Sequence, residues 1–188
     1  MTMRILTRSY NRVVTAAMAV CLSLSPVTAA ADTLDDLFAR LSDPGTRNWQ
    51  TVERDLEIQL SLSGSASADL LLRRGEAAME EQDIEAAIDH LTALTDHAPD
   101  FAEGWNARAA AYLMAGLHGP AMEDLRQVLV LEPRHYGALA GLGALLEDQG
   151  RPEAALAAFR EALAIHPHRP ELQSAVARLQ RSTGGTSL

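Results

Sequence analysis

Apolar and small residues recur in this chain at a spacing too long for one helix and too regular for chance. Leu71, Trp105 and Leu139 stand 34 residues apart, and the same step links Gly75, Ala109 and Gly143. It also links Ala87, Ala121 and Ala155, then Leu91, Leu125 and Phe159, then Pro99, Pro133 and Pro167. Five columns in register over three units mark an internal repeat. Within a unit the small and bulky columns lie one helical turn apart. Each unit therefore reads as two antiparallel helices. Small residues stand where the backbones come closest, and Leu, Trp or Phe fill the space beside them. Gln82-Asp83, Gly116-Leu117 and Gly150-Arg151 fall at the turn between the helices, and the prolines stop the second helix.

The flanks carry shorter helical patterns. Leu34 to Leu41 reads as a short helix ending at Ser42-Asp43-Pro44-Gly45. Trp49, Val52, Leu56 and Leu60 keep a helical spacing, and Ser61 to Ser67 forms a small-residue link. After the last repeat, Leu172, Val176 and Leu179 share one face of a helix whose other positions are polar. Such a helix shields the apolar end that a stack of repeats otherwise exposes.

The period and the columns resemble the tetratricopeptide repeat (TPR), with its W-x2-L-G-x2-Y…A-x3-F…P pattern. The residues carrying the likeness are Trp105, Tyr112, Ala121 and Pro133 in the second unit. In the third they are Leu142-Gly143, Ala155, Phe159, Ala162 and Pro167, and in the first Leu71, Gly75, Ala87, Leu91 and Pro99. Arg74 and Arg108 stand where Leu is usual, and Ala78 where Tyr is usual. The resemblance implies an all-α TPR solenoid of antiparallel helix pairs. It has three clear repeats, a degenerate N-terminal helical segment and a C-terminal capping helix. The expected divisions are a signal peptide (1–31), an N-terminal cap or degenerate repeat (32–67), repeats at 68–101, 102–135 and 136–169, a capping helix (170–181) and a flexible tail (182–188).

The family also implies where a partner sits, because the first helices of successive units line a concave groove. The matching positions here include Leu72, Glu76, Met79 and Glu80 in the first repeat. They include Asn106, Ala110 and Leu113, beside Glu103, in the second, and Glu147 in the third, with Ala140, Ala144 and Asp148. The alternative reading of each is ordinary exposed helix polarity. Some TPR domains grip a C-terminal carboxylate with a basic clamp. The positions that correspond are Leu72, Glu76, Ala107, Gly137 and Gly141, none of them basic. A basic or amphipathic peptide or protein suits this groove better.

Composition narrows the picture. Hydrophobic residues make up 47% of the chain and aromatics only 4%, which favours packed helices. The net charge is -9, with no Lys and every cation an Arg, so nucleic acid is not the expected partner. The first acidic residue is Asp32. Before it come Arg4, Arg8 and Arg12, an apolar run from Val13 to Leu24, and Ala29-Ala30-Ala31 as an Ala-x-Ala cleavage signal. These features read as a secretory signal peptide, placing the mature protein in the bacterial periplasm or outside the cell, with no stable membrane span after cleavage. A mitochondrial transit peptide and an uncleaved anchor are the alternatives. Cys21 lies inside the leader, so the mature chain has no thiol chemistry.

Signatures of catalysis are missing. There is no serine elbow, HExxH helix, phosphate-binding glycine loop or paired-cysteine motif. No cofactor is expected. His166-Pro167-His168 is the one close histidine pair, and it reads as two exposed loop residues at a repeat boundary, not as a metal site. Trp105 and Tyr112 occupy packing columns. The expectation is a non-catalytic scaffold or adaptor of the cell envelope. The alternatives are a self-associating assembly subunit, or an accessory subunit of an envelope enzyme or maturation complex. Oligomeric state is left open.

Overall fold

The computed structural model describes residues 33–184. The expected leader, with Cys21, and the end of the expected tail lie outside the described residues. Among the described residues there are nine helices and no strand. They are α1 (Leu34–Ser42), α2 (Trp49–Leu60), α3 (Ala66–Glu80), α4 (Ile84–His97), α5 (Ala102–Met114), α6 (His118–Leu131), α7 (Tyr136–Asp148), α8 (Pro152–Ile165) and α9 (Pro170–Gly184).

Three hairpins, α3/α4, α5/α6 and α7/α8, form the repeats, and their columns pack in the manner the periodicity predicts. Gly75 on α3 faces Leu91 on α4 so closely that a Cβ would lie 2.4 Å from the Leu91 side chain. Gly143 faces Phe159 in the same way, at 3.0 Å. Ala87, Ala121 and Ala155 are fully buried, as is Leu91. Each such Leu contributes roughly 2 kcal/mol by leaving water. Gln82, Gly116 and Gly150 all turn the chain with positive φ, 62°, 72° and 69°. Pro99, Pro133 and Pro167 each stand two residues beyond the end of α4, α6 or α8.

Caps explain several helix starts. The Thr33 hydroxyl accepts from the Asp36 N–H at 3.2 Å and the Asp36 carboxylate accepts from the Thr33 N–H, a reciprocal box that starts α1. Asp83 caps α4 by accepting from the Ala86 N–H at 3.2 Å. At the far end α9 buries Leu172, Ala175, Val176 and Leu179, and it runs on to Gly184, beyond the expected end at 181.

The N-terminal hairpin departs from the simplest reading of a flank. It does not stack on α3 as a preceding repeat. Instead α1 and α2 fold back across the chain onto α7, α8 and the start of α9. Arg134 donates to Asp35 at 2.7 Å and its guanidinium sits 4.3 Å from the Phe38 ring centroid. Arg169 donates to Glu53 through Nε at 2.8 Å. Leu37, Leu41, Val52 and Leu56 are buried in the core that also holds repeats two and three. Repeat one builds a second core with the inner face of α5.

The histidine pair also differs from expectation. His166 is fully buried, 0% exposed, walled by Trp49 and Tyr136, and His168 stacks on Trp49. The fold-back of α2 covers them, which local sequence could not reveal.

Candidate acidic groove

The first helices of the repeats present a groove whose clearest part lies between α3 and α5. Glu76, Met79 and Glu80 on α3 and Met114 on α5 line an open depression of about 570 Å³. Met114 is 46% exposed. Glu76 reaches solvent, but its carboxyl pKa is pushed above the ordinary glutamate value. Desolvation between the walls is the largest cause, followed by the charges of Glu103 and Glu80, with Arg73 opposing. Three carboxylates thus crowd one stretch of groove.

Glu103 is held rigidly. Its Oε1 accepts from Asn106 Nδ2 at 2.9 Å and its Oε2 lies 3.0 Å from His135 Nε2. His135 Nδ1 accepts from the Ala138 N–H at 3.1 Å, capping α7, so Nε2 carries the proton and donates to Glu103. Beside this network, Glu57 and Leu60 of α2 join Glu103, Asn106 and Tyr136 around a second cavity of about 260 Å³. The groove is therefore bounded at one edge by the folded-back hairpin.

The structure sorts the residues expected from sequence. Glu76, Met79 and Glu80 come together. Asn106 lies in the neighbouring cavity as a support for Glu103, Ala110 is exposed on α5 and Leu113 is half-buried. Leu72 is a correction: it is 2% exposed and packs in the core with Ala107 and Ala111, whose small side chains let α5 close over it. Glu147 is paired within the chain. Arg178 on α9 grips it, with Nη2 donating to Oε2 at 3.0 Å, and holds its pKa below the ordinary value. The pair lies at the surface, with the Glu147 side chain 29% exposed. Met114, Glu57 and Leu60 were not expected. Met114 could have been found by extending the groove columns one position. Glu57 and Leu60 could not, because they reach the groove only through the fold-back.

Comparison with known proteins agrees with this architecture. Tetratricopeptide-repeat family models match residues 72–124 and 112–179. A TPR repeat-containing protein of Rhizobium etli is 34% identical over 155 residues, covering 81% of this chain and 75% of the relative. The small glutamine-rich tetratricopeptide repeat-containing protein 2 of Mycosarcoma maydis is 27% identical over 122 residues, 65% of this chain, but the match spans only 35% of that relative. Among solved structures, the first TPR domain of RPAP3 bound to the HSP90 peptide SRMEEVD superposes with a TM-score of 0.61 at 21% identity. That match covers 64% of this chain and 95% of the other.

Proposed function

The chain belongs to the tetratricopeptide-repeat family, and from that premise we propose that it is a non-catalytic scaffold holding a cationic, amphipathic segment of a partner protein in its groove. The observation that carries this reading is the crowding of Glu76, Glu80 and Glu103. Desolvation, and after it the charges of Glu103 and Glu80, raise the Glu76 pKa, and an arriving Arg or Lys offsets that cost. Met79 and Met114 add flexible thioethers that adapt to irregular apolar side chains. A helix with basic residues on one flank and apolar residues on its face satisfies both features. The RPAP3 domain is bound to SRMEEVD, a peptide ending in acids. Acidic groove positions here favour the opposite charge.

The setting we propose is the bacterial cell envelope. The basic, acid-free apolar leader ending in Ala29-Ala30-Ala31 supports it, and so does the likeness to a bacterial chain. A test is capture from envelope extract with the unsubstituted protein and a Glu76→Arg, Glu80→Arg variant as matched baits, followed by mass spectrometry. The reading expects proteins with cationic helices on the first bait and their loss on the second. Identical capture by both baits would remove the groove from the account. Signal cleavage after Ala31, read by N-terminal sequencing of the exported protein, tests the location separately.

A further inference from the structure

The hairpin of α1 and α2 meets the repeats around one buried ring. His166, just after α8, has no exposed surface. Trp49 of α2 crosses it at 5.5 Å between ring centroids, and Tyr136 of α7 at 4.9 Å. His168 lies flat on Trp49, 5.6 Å away with 2° between planes, and its Nε2 is 3.1 Å from the Asp43 carbonyl at the end of α1. His166 Nε2 is 3.1 Å from Glu53 Oε1, yet neither ring nitrogen makes a hydrogen bond. The Glu53 carboxylate is engaged instead by the Arg169 guanidinium, and the Tyr136 hydroxyl donates to Glu53 and Glu57 at 3.3 and 3.2 Å.

This seam accepts only one charge state of the ring comfortably. A neutral imidazole has a single N–H to leave unmatched. An imidazolium has two N–H groups and a charge, and no acceptor faces Nδ1. The charged and titratable groups around it are Glu53 and Glu57 from α2, Tyr136 from α7, and His168 and Arg169 from the turn before α9. Glu53 and Arg169 already neutralise each other. Burial therefore holds His166 below the ordinary histidine value; Glu53 pulls the other way without reversing it, while Arg169 and His168 add to the lowering.

We propose that the α1–α2 hairpin is a pH-responsive arm of the groove, docked while His166 is neutral and loosened when acidification protonates it. The consequence for the groove rests on the reading above, since α2 supplies Glu57 and Leu60 to one of its cavities. The direction follows from proton linkage. A histidine whose value is depressed in the docked state binds more protons once released, so docking is at full strength above the ordinary histidine range and weakens as pH falls through it. Each pH unit lost in that window weakens docking by up to about tenfold.

Hydrogen exchange of the full chain, with no peptide present, tests this. Between about pH 7.5 and about pH 5.5, amides in residues 34–60, corrected for intrinsic exchange, should lose protection by up to about tenfold while α3 to α6 hold theirs. His166→Phe fills the aromatic cage with no titrating nitrogen and should keep the hairpin protected at both values. NMR titration of the His166 ring in the unsubstituted protein should report a value below the ordinary one. Unchanged protection across the pH range overturns the proposal, as does an equal loss in His166→Phe. Should that variant not fold, the ring titration decides alone, and a value at or above the ordinary one overturns the proposal. None of these readouts contains a ligand, so a groove that binds nothing leaves the hairpin's response standing.

Discussion

Arg108 on α5 grips Asp124 on α6 with both arms of its guanidinium, Nε to Oδ2 at 2.7 Å and Nη2 to Oδ1 at 2.9 Å. Its third nitrogen donates to Thr95 Oγ1 on α4 at 2.8 Å, which ties repeat one to repeat two. The guanidinium carbon lies 4.8 Å from the Trp105 ring centroid and 5.6 Å from that of Tyr112. The hydrogen bond and charge of Asp124 raise the arginine's pKa against its own desolvation. Arg108 thus fills a column where the repeat usually places Leu, and does so by bringing a partner carboxylate.

Arg108→Leu should therefore destabilise the protein. It leaves Asp124, whose side chain is 6% exposed, buried without its cation. Breaking such a pair costs about 3 kcal/mol, readable as a lower urea midpoint. The double variant Arg108→Leu, Asp124→Leu should recover most of the loss, because an apolar pair removes both desolvation penalties.

Gln82→Gly should stabilise repeat one. Gln82 holds φ at 62°, where the equivalent positions of the other repeats carry Gly116 and Gly150. Glycine relieves the left-handed strain but loses more chain entropy on folding, leaving a net gain of about 0.5 kcal/mol. A small rise in Tm, with unchanged circular dichroism, is the expected result.

Gly75→Ala should act in the opposite direction. The added methyl would stand 2.4 Å from Leu91 Cγ, inside contact distance of a fully buried side chain. Overpacking of this kind costs about 1–3 kcal/mol. Leu91→Ala in the same chain should offset part of that steric cost, so the two substitutions should be non-additive in a double-mutant cycle.

These residues also show what could be read from the sequence. The 34-residue columns marked Gly75 and Gly143 as close-approach positions and Leu91 and Phe159 as the bulk beside them, and the structure sets each glycine against the bulky residue of its own unit. The solenoid followed from those columns. Residues 34–60 carry no column, so their docking depends on pairs such as Glu53 with Arg169, more than a hundred positions apart. Nothing local marks that pairing. The same blindness left His166 reading as an exposed loop residue, Leu72 as groove lining, and the pairing of Glu147 with Arg178 unseen. Each position obeys the repeat pattern, but α2, α5 and α9 respectively cover or engage it.

Affinity for a cationic peptide should depend on pH through Glu76. Its value lies above the ordinary one, so on acidification it is protonated earlier than an unperturbed glutamate. A cation favours the deprotonated form, hence binding is full above the raised value and falls as pH drops through it. In Glu76→Gln the affinity at neutral pH should be lower and the fall should begin at a more acidic pH. Peptide titrations at a series of pH values would show this.

The most direct test of the acidic groove is fluorescence anisotropy with two labelled helical peptides. One is built from Leu and Lys on an amphipathic pattern, and the other has every Lys replaced by Glu. The account predicts saturable binding of the cationic peptide to the unsubstituted protein, loss of that binding in Glu76→Arg, Glu80→Arg, and none for the acidic peptide. Equal binding of both peptides, or binding of the cationic one that survives the charge reversal, would contradict it.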